Sequence, residues 1–233
     1  MRAVFKREFK SYFASPLGYV VITALYFFLG MYFSMIYSMG YPSVSTVISA
    51  MTTVIIFSIP VITMRLMSED RRQKVDQALL TAPVKLTSIV MGKFLAALAL
   101  VGTGFLPTVI FEIIIASYVS VNFMEYIYML FGILLLSGAL IAIGMFISSL
   151  TESSVVAAII TLIVNILTLY MGQLSSLIGV EWIANAVNKM AFINVFENFS
   201  YNILSIPDII YFVSIIVIFL FLCVRSLEKR RWS

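Results

Sequence analysis

Residues 67–87, MSEDRRQKVDQALLTAPVKLT, form the one long hydrophilic stretch in a chain that is otherwise apolar almost throughout. Ser68 is placed to cap a helix whose first turn carries Glu69 and Asp70, acids that suit the positive end of a helix. Val75, Ala78 and Leu79 make a narrow apolar stripe on an otherwise charged surface, and the helix stops before Pro83. On both sides the sequence returns to apolar runs long enough to cross a bilayer. A charged helix between two spans belongs to a polytopic membrane protein, and that decides the fold class: all-α, with spanning helices joined by short connections.

Composition agrees. Of 233 residues, 62% are hydrophobic and 11% charged, whereas a soluble domain is roughly half apolar and a quarter charged. A span needs about 20 apolar residues. Six spans are accommodated and a seventh would strain the count, while the rest is scattered in pieces too short for a nucleotide-hydrolysing domain of ordinary size. There is no His and one Cys, Cys223, inside an apolar run. Haem, zinc, Cys/His-nucleophile and disulfide chemistry have no donors, and Cys223 reads as a small buried hydrophobe.

Residues 2–14 place Phe5, Phe9, Tyr12 and Phe13 on one face with Lys6, Arg7 and Lys10 beside it, a short basic amphipathic helix on a membrane surface. Ser15-Pro16 breaks it. The spans follow at 17–38, 44–66, 88–119, 126–150, 155–172 and 207–225. The first is too long for a signal-peptide core and lacks a small-x-small cleavage site, so it reads as a retained anchor. Gly40-Tyr41-Pro42 makes a tight turn. The third span is over-long and contains Pro107, which predicts a kink or tilt. Residues 173–206 mix apolar residues with Asn185, Asn188, Glu197 and Asn202 in two amphipathic pieces, Trp182/Ile183/Val187/Met190 and Phe196/Phe199/Ile203. These read as two short external helices forming a lid before the last span, with Trp182 and Tyr201 as interface anchors.

With six spans, the N-terminus, the 67–87 loop, the 151–154 turn and the C-terminus share one side. All of the 15 Lys and Arg residues except Lys189 fall there. The positive-inside rule makes that side the cytoplasm of a cell-membrane protein. The 151–154 turn carries no base and is placed by parity alone. The bases report orientation next to lipid and not nucleic-acid binding.

Candidate chemistry is sparse. Glu112 lies 19 residues past Lys93, roughly 28 Å along a helix, and reads as a solvated acid at the outer interface, as does Glu125. Polar stripes are more informative: Ser45, Ser49, Thr52 and Thr53 on span 2, and Thr161, Asn165 and Thr168 with Gly172 on span 5. They either let helices pack closely or line a path or dimer seam, since Asn165 at mid-bilayer needs a partner. Gly92-Lys93 is not a phosphate loop, no G-x-x-x-x-G-K-[ST] occurs, and Asn198-Phe-Ser200 is too short a pattern to weigh.

Taken in order, Lys6-Arg7-Glu8-Phe9, Tyr12-Phe13-Ala14-Ser15-Pro16, Pro60, Thr63-Met64-Arg65-Leu66, Glu69-Asp70, Leu79-Leu80-Thr81-Ala82-Pro83, Gly92-Lys93 and Glu228-Lys229-Arg230-Arg231-Trp232 resemble the type-2 ABC export permeases. The likeness is to the gliding-motility and nitrous-oxide-reductase-maturation group. Lys74-Val75 departs from the Gly-Thr often found there. The resemblance implies that 2–14 is the interfacial helix and that 68–81 is the coupling helix, with Glu69, Asp70, Arg71, Arg72, Val75, Ala78 and Leu79 meeting a cytoplasmic ATPase. It implies that 173–206 are external helices. It also implies a second permease subunit and ATP with magnesium on the partner ATPase, with no cofactor in this chain. The chain is then a non-catalytic transport subunit, commonly an exporter. A membrane scaffold or a secondary carrier are the competing readings, the carrier disfavoured by the shortage of buried charge.

The distribution of bases generates a topology test. A membrane-impermeant thiol reagent applied to intact cells labels Ser43→Cys and Asn188→Cys and spares Ser233→Cys. Labelling of Ser233→Cys from outside contradicts the topology.

Overall fold

A computed structural model describes residues 1–40, 43–72, 85–175, 182, 188, 191–200 and 205–231. These form α1 (Arg2–Ala14), α2 (Pro16–Ser38), α3 (Val44–Thr63), α4 (Ser68–Arg72), α5 (Leu86–Gly104), α6 (Leu106–Ala116), α7 (Phe123–Leu150), α8 (Ser154–Ser175), α9 (Phe192–Ser200) and α10 (Ile206–Arg231), with no strand among the described residues. Six stretches are long and apolar enough to cross a membrane: α2, α3, the run Leu86–Ala116 that α5 and α6 share, α7, Ser154–Gln173 of α8, and Ile206–Lys229 of α10. The protein is an all-α polytopic membrane protein.

The centre is α7. Residues 137–145 are buried without interruption, as expected of a helix apolar on every side. It touches α3, α4, α5, α8, α9 and α10. Because lipid tails are as apolar as Leu, burial gives no hydrophobic drive between spans, and association relies on close packing at small residues. Gly144 shows this: a Cβ there would lie 2.5 Å from Thr63 Oγ1 and 2.9 Å from Thr161 Cγ2, so only Gly lets α3, α7 and α8 meet. The α1–α2 corner has a similar demand at Gly18, where a Cβ would stand 2.2 Å from the Tyr12 carbonyl oxygen. By contrast α2, α8 and α10 turn broad apolar faces outward.

Helix ends differ from the hydropathy boundaries for local reasons. The third span is broken at Phe105, with Pro107 in the first turn of α6. Proline has no N–H to give the carbonyl four residues back and its ring crowds that carbonyl. The carbonyl concerned, Thr103, accepts instead from Tyr26 Oη at 3.1 Å. Helix α3 stops at Thr63, three residues short of the expected span end, and 64–67 form turns. Helix α10 runs past 225 to Arg231 because Glu, Lys and Arg are good helix formers once apolar residues run out.

The described part of 173–206 contains one short helix. Helix α9 has nine residues, far below spanning length, and packs Phe196 and Phe199 against α7 and α8. Phe199 lies over Gly132, and Asn198 donates to Asp208 at 3.0 Å. Trp182 is exposed. The remainder of the first expected external helix, with Tyr201 and Ile203, lies outside the described residues. Glu112 is not solvated as expected: it is 5% exposed, on the face of α6 that also buries Thr108 and Ile115.

Gly144→Ala therefore wedges α7 away from Thr63 and Thr161 and lowers stability by about 1–3 kcal/mol, the usual cost of overpacking. Gly30→Ala and Gly102→Ala, where nothing lies within 4 Å of the new methyl, leave stability unchanged or raise it. Thermal unfolding of the three variants in one detergent is the check.

Candidate functional site

The last carbonyls of any helix lack internal partners, and other elements reach one at the end of α3 and one in the turn beyond it. Tyr12 Oη of α1 donates to the Ile62 carbonyl at 3.3 Å, and Lys93 Nζ of α5 donates to the Leu66 carbonyl at 2.6 Å. Lys93 is 1% exposed, and its ammonium is also 3.4 Å from Glu8 Oε1, which meets Arg7 at 2.7 Å. Gly92 brings α5 this close to α1, since a Cβ there would be 3.0 Å from the Val4 side chain. A buried cation near the end of a helix gains from its dipole and from a carboxylate partner. Burial first, and Glu8 second, push the Tyr12 phenol above its ordinary pKa, so it remains a neutral donor. A cleft of about 330 Å³ opens at this joint between α1 and the end of α3.

The chain leaving α3 is held from the other side. Ser148 Oγ of α7 accepts from the backbone N–H groups of Met67 at 3.3 Å and Ser68 at 3.1 Å, and donates to the Met64 carbonyl at 3.2 Å. Ser68 Oγ also donates to that carbonyl and stands 3.0 Å from Ser154 Oγ. Its hydroxyl is thus turned back onto the preceding turn, where the sequence pattern predicted a cap aimed forward into α4. Arg71 reaches Glu152 at 2.8 Å and the Leu150 carbonyl at 3.1 Å. The 151–154 turn, placed by parity in the sequence, is bonded directly to α4 and so lies at the same, basic end of the bundle.

The expected coupling residues are only partly visible. Glu69 lies 3.9 Å from Arg65, and Asp70 and Arg72 belong to α4 by backbone. Val75, Ala78 and Leu79 lie outside the described residues. Lys93, Tyr12, Ser148 and Glu152 are the anchors that sequence reasoning did not single out for this role. The signals available were Lys93 beside a Gly in an apolar run and the Ser148-Ser149 pair ending a long apolar helix.

The polar stripes are brought inward. On α8, Ala157, Thr161, Asn165 and Leu169 are all buried, whereas Val155, Ile159, Ile163 and Leu167 face out. Thr161 Oγ1 and both amide atoms of Asn165 have no hydrogen-bond partner among the described residues. Thr168 is half-buried and donates to its own helix at Val164 and Asn165. On α3, Ser45 and Thr52 are buried, Ser49 is half-buried, and Thr52 Oγ1 also lacks a partner among the described residues. Thr53 does not join them. One residue advances a helix by about 100°, so Thr53 is exposed in an apolar groove of about 370 Å³ against α2.

A comparison with curated proteins finds no match. The family model described as ABC-2 type transporter matches residues 1–194, from the start of α1 into α9. It takes in both the basic-end joint and the inward polar faces of α3 and α8. With most of its length matched and six spanning stretches, α7 at their centre and five around it, among the described residues, the chain belongs to the ABC-2 type transporter family and is a membrane permease subunit of an ABC transporter.

Proposed function

We propose that this permease is driven through the basic end of its bundle by a cytoplasmic ATPase subunit, and that it moves its substrate outward as one of a pair of permease subunits. ATP and magnesium are held by the ATPase, and both termini lie in the cytoplasm of a cell-membrane protein. The excess of Lys and Arg at this end supports the orientation. The resemblance carried by the sequence motifs supports the direction, the pairing and the gliding-motility and nitrous-oxide-maturation grouping. The observation that carries the coupling is the double anchorage of the segment leaving α3: Ser148 and Glu152 on one side, Lys93 and Tyr12 on the other. A push on the 68–81 segment would then reach α3, α5, α7 and α8 without slack. Val75, Ala78 and Leu79 would dock in a groove of the ATPase, and Glu69, Asp70, Arg71 and Arg72 would set register and partner choice.

Within the bundle, Thr52, Thr161 and Asn165, with Ser45, Ser49 and Thr168, form the substrate path or the seam that opens to make it. Support comes from cost. A buried polar group without a partner destabilises by about 1–3 kcal/mol, and sites that break packing rules in this way are expected where function requires it. Thr53, on another face of α3, has no part in this seam. The short α9 and its neighbouring segment would cover the outer end as a lid.

Two experiments test these readings. Leu79→Ala weakens co-purification of the ATPase, and Glu69→Lys combined with Asp70→Lys leaves ATP hydrolysis but uncouples it from transport. Unchanged binding and transport in both would move the contact to α1. Asn165→Leu raises thermal stability by about 1–3 kcal/mol, because it removes an unmet amide, while transport falls. A variant with normal transport would remove Asn165 from the path.

A further inference from the structure

A second cleft, of about 480 Å³, opens at the basic end where α4, the last turn of α7 and the last third of α10 converge. Its rim carries three cations, Arg71, Arg225 and Lys229, and its floor is Phe146, Leu150 and Leu222. Arg71 is oriented by Glu152 and the Leu150 carbonyl. Arg225 pairs with Glu228 at 2.7 Å and lies 5.1 Å over the Phe221 ring. Lys229 is exposed and has no partner among the described residues. Among the described residues the acids facing these three bases are Glu152 and Glu228, one fewer than the bases. The Arg225–Glu228 pair is solvent-exposed, and such pairs exchange partners at little cost.

The floor matters as much as the rim. Leu222 continues into the outward apolar face of α10, with Ile218 and Phe221 exposed beside it, so the cleft joins the hydrocarbon layer to the charged interface. A ligand that fits both parts has a phosphate to take the fork of an arginine and an acyl chain to lie on the floor. We propose that this cleft binds the phosphate of an anionic phospholipid from the leaflet at the basic end. The bound lipid shares Arg71 of α4 with Arg225 and Lys229 of α10, and so braces the root of the 68–81 segment against the last span. The inference rests on the membrane-spanning fold and not on the proposed coupling or substrate path.

The test is native mass spectrometry of the full chain released from nanodiscs containing equal amounts of phosphatidylglycerol and phosphatidylcholine. The expected result is preferential retention of one phosphatidylglycerol. Retention falls about tenfold or more in Arg225→Gln/Lys229→Gln, which loses two basic contacts, and is unchanged in Lys6→Gln/Lys10→Gln, whose bases are equally exposed but sit on α1. Matching thermal stability of both doubles shows that the loss is local. Equal retention of the two lipids, or an equal loss in both doubles, overturns the site in favour of general surface charge. Displacement of the lipid by millimolar inorganic phosphate alone overturns it in favour of a soluble anion.

Discussion

The ammonium of Lys93 against the carbonyl of Leu66 is the contact on which the basic end depends. It fixes α5 to the turn beyond α3 at a point where neither helix can supply its own hydrogen bond, and Glu8 ties α1 into the same joint. Such a contact has little freedom to be rebuilt. Removing either member of a buried charged pair leaves the other desolvated, which costs more than the pair gains over an apolar substitute. The joint therefore ties the interfacial helix to the spans through buried polar contacts.

This joint contrasts with the middle of the bundle. Around α7 the helices close on Gly and Ala positions, yet α3 and α8 bury Thr52, Thr161 and Asn165 with polar atoms unmet. In a bilayer no water competes for these groups, so this arrangement of α3 and α8 is held by its surroundings and not by the polar groups themselves. A bundle with satisfied joints at its basic end and unsatisfied groups along one inner seam stores its capacity to rearrange in that seam. This is where a transport path would be expected, because opening it can only improve the hydrogen bonding of Asn165.

The sequence made the span count, the Ser15-Pro16 corner and the inward stripe of α8 legible, since each follows from apolar run length, proline geometry or helical period. It was silent on the anchors. Lys93 read as a base at a span end because a lone Lys ordinarily snorkels to the interface, and nothing in linear order says that an orphaned carbonyl 27 residues earlier waits beside it. Ser148 was one hydroxyl among many. Distance along a helix gives the depth of Glu112 but not which face points inward. Thr53 follows Thr52 in sequence, but a step of one residue changes face.

The pairing of α4 with the 148–154 turn then bears on how a signal would travel. A helix pushed only at its far end bends at its root unless the root is fixed, and here the root is bonded on both sides: Ser148 takes its first N–H groups, and Arg71 spans to Glu152. Ser148 and Glu152 flank the point where α7 ends and α8 begins, so displacement of α4 acts on both of these helices together with α3. Those are the helices that meet at Gly144, with Thr63 and Thr161 pressed against its bare backbone. Because Gly144 leaves no side chain between them, the three helices are in close contact here, one turn below Asn165. If the proposed coupling holds, the anchors at the basic end and the unmet amide in the seam would act as parts of one lever, with Gly144 at its pivot.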